Sequence, residues 1–400
     1  MSSSYAKNAL VLGLLAAVGP FAIDMYIPAL PTITADLATT TAATQMTLTA
    51  FFITFGACQL IYGPVSDMVG RKPPLYFGLT VFVMGSLGCA FANSIEWLIA
   101  FRVIQGLGGS AVMVIPRAVI RDMHTGIEAA RLMSTIMLVI SVSPILAPLA
   151  GSGLIVAFGW RAVFVTIALA SIVSFALLTF CLPETRPPDQ RVRAGICTAF
   201  AGFGQLLGNA HFLGLTFIGG FGMSSFFAFL ASSSFIYINH FGLTPTQYSL
   251  TFSLNAIGFI GTSQFAAPLG MRFGMARTVR VATSLYAFFA VILLGVTLAG
   301  VDSLPVLVAL LFLSNAFLGL VIPTTMVLAL EDFGPIAGMA SALGGTLQMV
   351  FGGLMVVVVS QLFDGTALPM VATIATCAVS ALILASLTLR GHKEAAQAAQ

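Results

Sequence analysis

Gly63-Pro-Val-Ser-Asp-Met-Val-Gly-Arg-Lys-Pro73 separates two long apolar runs, 43–65 before it and 75–93 after it. About 20 apolar residues cross a bilayer as a helix, so the stretch reads as a short loop joining two membrane spans. Gly63 and Gly70 allow a tight turn and close helix approach. Asp67 closes the first helix, and Arg71 with Lys72 anchor the start of the second at a water-facing surface. An isolated Gly-Arg-Lys would be an ordinary basic turn; the full spacing predicts more. Gly63, Asp67, Gly70 and Arg71 are expected to form a conformational latch.

The runs on either side continue along the whole chain. Of its 400 residues 58% are hydrophobic and 7% charged, and the mean hydropathy is +1.04. Ordinary soluble domains carry about 25% charged residues, so the chain is an all-α membrane protein. Twelve runs are long enough to span, at 8–30, 43–65, 75–93, 95–120, 129–158, 161–182, 211–239, 246–269, 280–300, 303–330, 335–362 and 366–389. The first run carries an acid and no small-residue cleavage pattern, so it reads as a retained span. Five cysteines, at 58, 89, 181, 197 and 377, show no paired spacing, and neither a disulfide framework nor a metal site is expected.

Twelve spans leave both termini on one side. Cationic loops remain in the cytoplasm, and fourteen of the sixteen lysines and arginines fall on the side of the N-terminus. The opposite loops hold Arg161 together with Asp36, Glu96, Asp302 and Asp364, while Arg102 falls inside the fourth span. Both termini are therefore expected in the cytoplasm. The polar, proline-rich segment Pro183-Glu-Thr-Arg-Pro-Pro-Asp-Gln-Arg-Val-Arg193 divides the spans six and six. The expected organisation is a six-helix bundle at 1–183, a cytoplasmic linker at 184–210, a second bundle at 211–390 and a tail at 391–400. An amphipathic piece at 194–209 either lies along the inner membrane face or is a plain connector. An offset of 204 residues pairs Pro64 with Pro268 and Gly70 with Gly274, as a duplicated bundle requires.

Asp24 lies inside the first span, and a lone intramembrane acid marks a proton relay or a substrate path. It sits about seven residues before the outer end of its helix, and Arg102 about seven residues after the outer start of the fourth. At 1.5 Å per residue each is about 10 Å below the surface. The shared depth predicts an Asp24–Arg102 pair in which the arginine governs proton binding.

On these motifs the chain resembles the major facilitator superfamily. The loop at 63–73 is similar to its signature between helices two and three, with Met68 where a base is usual. Leu98, Arg102, Gln105, Gly106, Gly108 and Gly109 match the fourth-helix pattern, and Asp24, Ala29 and Pro31 the drug-antiporter pattern of helix one. Pro144, Pro148 and Gly151 fall in a partial match to the helix-five antiporter motif. Smaller phrases, Ile23-Asp-Met-Tyr-Ile-Pro-Ala-Leu-Pro31, Arg121-Asp122, Pro183-Glu-Thr185 and Ala337-Gly-Met-Ala-Ser-Ala-Leu343 among them, resemble the bicyclomycin-resistance and chloramphenicol/florfenicol exporter subfamily. The resemblance implies two pseudo-symmetric six-helix bundles, a central cavity, and drug export driven by inward proton flow across a bacterial inner membrane.

Candidate cavity residues, chosen because aromatic, Met and amide side chains adapt to varied ligands, are Tyr26, Met46, Phe52, Met113, Ser141, Phe226, Phe229, Tyr237, Asn255, Asn315 and Gln348. The expected partners are a small drug, protons and the lipid bilayer, with no nucleic acid, no cofactor and a monomeric state. An ATP-driven pump would need a phosphate loop ending in Gly-Lys-Ser or Gly-Lys-Thr, and Lys7, Lys72 and Lys393 have no such context. A hydrolase would need a base at membrane depth, but His124, His211, His240 and His392 fall in loops or at helix ends. The nearest rival is a proton-coupled importer with the same fold, since direction is not written in the helices.

Overall fold

Inside a bilayer every backbone N–H and C=O must find a partner within its own segment, which leaves the helix as the natural element for sequences this apolar. The computed structural model describes residues 3–124, 126–191, 196–333 and 336–398, and the regular structure among them is helical throughout. In order the helices are α1 Ser3–Asp24, α2 Leu30–Asp36, α3 Thr41–Val69, α4 Lys72–Ala90, α5 Ile95–Met123, α6 Gly126–Phe158, α7 Arg161–Cys181 and α8 Ile196–Leu207. They continue as α9 Ala210–Ser234, α10 Pro245–Ser263, α11 Ala266–Phe273, α12 Met275–Leu298, α13 Leu304–Glu331, α14 Ala337–Leu362 and α15 Leu368–Ala398. Among the described residues, eleven spans are long and apolar enough to cross a membrane.

Polar caps set several of the starts. The Thr40 hydroxyl accepts from Ala43 N at 3.1 Å, and the Asn209 side chain accepts from Phe212 N at 2.8 Å, each satisfying a first-turn donor. The run expected at 246–269 is helical but falls outside the eleven. It divides into α10 and α11 around Gln264 and Phe265, and Gln247, Ser249, Thr251, Ser253 and Asn255 lower its hydropathy. The run expected from 335 begins at Ala337, with residue 335 itself outside the described residues. The piece expected at 194–209 contains α8, while residues 194 and 195 lie outside the described residues.

Contacts divide the chain into two compact units. The first comprises Met1–Ala199 with Thr244–Ser249, and the second Phe200–Leu243 with Leu250–Gln400. In the first unit α5 packs on α3 and α4, α4 on α7, and α1 on α5, α6 and α7. In the second, α9 packs on α13, α14 and α15, and α12 on α13 and α15. The internal repeat is visible in the backbone: Gly70 and Gly274, 204 residues apart, both adopt positive φ, +100° and +84°, just before the next helix begins. Only glycine takes such angles without strain, so the same turn is made in the same way in each half.

Candidate functional site

Two prolines reshape the end of the first span. Pro28 and Pro31 each lack an N–H, so the carbonyls of Asp24 and Ile27 lose their helical donors. The chain leaves α1 at Asp24, forms a single 3-10 turn at Ile27–Ala29, and resumes as α2. Tyr26 N turns to Ile23 O at 3.2 Å, which frees the Ala22 carbonyl that it would bond in a regular helix. Gly151 of α6 lies directly against this break, where a Cβ would collide with the Met25 carbonyl. Asp24 therefore sits at a helix end inside the membrane, 6% exposed, and accepts a hydrogen bond from Ser143 Oγ of α6 at 3.1 Å.

Arg102, fully buried on α5, uses the carbonyl released by that break. Its Nη1 donates to Ala22 O at 3.3 Å and to Gln105 Oε1 at 2.6 Å, and its Nε to Thr47 O at 3.4 Å. The guanidinium carbon lies 4.7 Å from the Tyr26 ring centroid and 4.4 Å from that of Phe51, so the cation is flanked by two π faces. Tyr26 OH pairs with Thr47 Oγ1 at 2.7 Å, and Gln105 Nε2 donates to Ser86 Oγ of α4 at 2.8 Å. One network thus joins α1, α3, α4 and α5. The expected Asp24–Arg102 pair does not form: the carboxylate bonds Ser143, while the guanidinium holds the backbone two residues earlier. Equal depth carried no information about which face of α1 each group meets.

The stretch at 63–73, expected as a loop, is helical except at Gly70 and Arg71, because α3 runs on to Val69 and α4 begins at Lys72; it makes the second constellation. Arg71 Nη1 donates to Ser66 Oγ and to Asp67 Oδ1, both at 2.7 Å, and Nε and Nη2 bond both oxygens of Asp122 at 2.6 and 3.2 Å. Arg186 Nη1 reaches the same Asp67 oxygen at 2.8 Å. Glu184 accepts the backbone N–H groups of Arg71, Lys72 and Arg186 at 2.8, 3.0 and 3.0 Å. Burial pushes the Glu184 carboxyl up, but these donors and the Arg191 charge outweigh it and hold the group below its ordinary 4.5. Lys72 Nζ caps α7 by donating to Leu182 O at 2.9 Å. The contacts fasten α3, α4, α5 and the segment after α7 within the first unit. Asp122 and Glu184 sat in phrases that marked the family resemblance, yet nothing in their spacing predicted that they close on Arg71.

With this geometry in hand, comparison is decisive for the family. A model of the Major Facilitator Superfamily matches residues 12–357. The chain belongs to that superfamily. Among its relatives, a bicyclomycin resistance protein homolog of Haemophilus influenzae is 30% identical over 96% of each chain. A chloramphenicol resistance protein of Pseudomonas aeruginosa is 30% identical over 95% of this chain and 90% of its own. A solved D-xylose-proton symporter aligns with TM-score 0.73 and 15% identity, covering 96% of this chain and 97% of its own, a likeness of fold alone. The protein is a multi-pass membrane transporter of this superfamily and not an enzyme.

As a member of the superfamily, the chain distributes its expected cavity residues unevenly. Tyr26 and Phe52 are buried, Tyr26 against Arg102 and Phe52 edge-on to Phe51 at 6.2 Å. Met46, Met113 and Ser141 are half-buried, and it is Ser143, two positions beyond the expected Ser141, that meets Asp24. In the second unit Phe226 stacks on Phe259 at 5.4 Å and Phe229 on Phe252 at 5.6 Å. Asn315 Nδ2 reaches Asn255 Oδ1 at 3.5 Å, and Gln348 Nε2 reaches Thr216 O at 3.4 Å, while Tyr237 lies in a π turn at Phe235–His240. The helix-five residues Pro144, Pro148 and Gly151 all lie in α6, Gly151 itself against Met25. Among the described residues no group of three or more His, Cys, Asp or Glu gathers to hold a metal ion.

Proposed function

We propose that this protein exports small, neutral or weakly charged drugs across a bacterial inner membrane in exchange for protons, as a monomer working by alternating access with both termini in the cytoplasm. The observation that carries the reading is Asp24, a buried carboxylate at a proline-made helix end whose partner is a neutral hydroxyl. With no cation beside it, such an acid is free to bind and release a proton as its surroundings change. Arg102 then acts as a positioning residue, because its grip on Ala22 O sets where the break, and with it Asp24, lies. The relatives named for bicyclomycin and chloramphenicol resistance support drug substrates. The amides of Asn255, Asn315 and Gln348 suit polar, uncharged ligands. The cluster around Arg71 and Asp67 serves as the latch, holding the inner ends of α3, α4 and α5 as one body during the cycle.

Exchange requires drug and proton to compete, so by linkage drug binding weakens as pH falls. The test is transport of labelled chloramphenicol by purified protein in liposomes under an imposed pH gradient. Accumulation against the proton flow is expected, and no transport under either gradient overturns the proposal. A second reading, a proton-coupled importer, is favoured by the fold shared with the D-xylose-proton symporter. It predicts drug or metabolite moving with the protons. Asp24→Asn should abolish gradient-driven movement and leave residual drug binding independent of pH. An undiminished proton release on adding drug to this variant places the coupling site elsewhere.

A further inference from the structure

The inner-face loop of the second unit repeats the turn of the first but not its charges. The offset of 204 puts Met271 at the place of Asp67, Met275 at that of Arg71, and Met326 at that of Asp122. In the first unit Arg71 is bonded to Asp67 and Asp122. In the second, Arg272 and Arg277 have no carboxylate partner among the described residues, and Arg280 gives Nη2 to the Leu389 carbonyl at 2.8 Å. Arg277 is exposed, and it stands at one end of a groove of about 320 Å³.

The groove is amphipathic along its length. Besides Arg277 and Thr278 its walls are Leu269 and Phe273 of α11, Val281 and Leu285 of α12, and Phe317 and Leu320 of α13. From Arg277 to Leu285 it runs about 12 Å along α12, at 1.5 Å per residue. Phe273 and Val281 are each about half exposed, so the slot opens sideways through an apolar rim. The Arg272 guanidinium lies over the Phe273 ring at 5.2 Å, a second cation at the same mouth. The acids at the inner end of α13, Glu331 and Asp332, do not line it.

We propose that this groove binds an anionic phospholipid of the inner leaflet, with the phosphate on Arg277 beside Arg272 and an acyl chain along Val281, Leu285, Phe317 and Leu320. Uncompensated arginines above an apolar slot complement a phosphodiester above a hydrocarbon chain, and basic pockets between helices on the cytoplasmic side take such headgroups. The reading rests on the proposed topology, which turns this face to the cytoplasm.

Native mass spectrometry of the delipidated, detergent-solubilised full chain tests it, with dioleoylphosphatidylglycerol, dioleoylphosphatidylcholine and soluble glycerol phosphate as probes. Phosphatidylglycerol should bind in preference to phosphatidylcholine. Arg277→Gln should weaken it about fivefold to tenfold, the effect of one interfacial arginine, and Arg277→Lys should restore most of the difference. Leu285→Trp, which fills the slot, should abolish the preference although Arg277 is intact. Equal phosphatidylglycerol affinity in wild type and Arg277→Gln overturns the proposal, as does glycerol phosphate binding as tightly as the lipid, which would mean a simple anion site. Drug-linked proton release, measured on the same variants, shows that they are folded. If lipid selectivity behaves as stated while Asp24→Asn keeps its proton release, the export reading falls and the lipid site stands; the reverse pair removes only the lipid site.

Discussion

Among the described residues no acid pairs with Arg102, and the planar guanidinium is what lets it carry its charge inside the apolar span. Its nitrogens reach the Ala22 and Thr47 carbonyls and the Gln105 amide while its faces meet Tyr26 and Phe51. Lysine keeps the charge but has neither the fork nor the flat faces. Arg102→Lys is therefore expected to cut gradient-driven transport at least about tenfold, the loss of one charge-assisted hydrogen bond of about 1.5–3 kcal/mol. Drug uptake into everted membrane vesicles measures it, and wild-type uptake would refute the positioning role. Ser143 offers a sharper contrast with its neighbour. Ser143→Ala removes the donor to Asp24 and should lower transport about tenfold by the same reckoning, whereas Ser141→Ala should leave it unchanged in the same vesicles. Sequence reading found Asp24 and Arg102 through the cost of charge in hydrocarbon. It missed Ser143 because a serine in a membrane helix costs little and is common, so nothing singles it out.

The break after α1 depends on α6 coming close, and Gly151 is where that happens. Gly151→Ala forces a methyl against the Met25 carbonyl and should destabilise the fold by about 1–3 kcal/mol, the usual cost of overpacking. A lower midpoint in fluorescence-detected thermal unfolding would report it. The turn at Gly70 and Arg71 depends instead on Glu184. Its carboxyl is held below the ordinary 4.5, so the docking it provides is fully present above that value and is lost as pH falls below 4.5 and through the lower folded value. Amide exchange at Arg71 and Lys72 should be slow near neutral pH and accelerate toward acid, beyond the intrinsic change, and Glu184→Gln should flatten that dependence. An unchanged profile in the variant would show that the loop is held by other contacts. Gly70 at φ +100° leaves no room for a side chain, since a Cβ would lie 2.9 Å from Glu184 Oε2, so Gly70→Leu should slow transport more than it weakens drug binding.

Across the whole molecule, the arginine and lysine distribution decides which way the chain threads the membrane. Tags on both termini should be cut by protease in everted vesicles and protected in right-side-out ones; cleavage of one tag in each preparation would overturn the even number of spans. The two halves share the turn at Gly70 and Gly274 but have diverged in charge: the first unit closes its turn with its own carboxylates, and among the described residues the second does not.

The superfamily was legible in motif resemblance, and length and hydropathy were enough to determine that this is a helical membrane protein with an acid and a base inside its apolar runs. Those properties follow from solvent transfer and helical rise, which act on each segment separately. Only the tertiary structure decided which partner each buried group takes. The break after α1, Arg102 binding the carbonyl it frees, Ser143 meeting Asp24, and Glu184 folding back 113 residues onto Arg71 require knowing how the helices are rotated about their axes. Rotation and packing are set by close contacts such as Gly151 on Met25, which are properties of pairs of helices and leave no period in the sequence of either one.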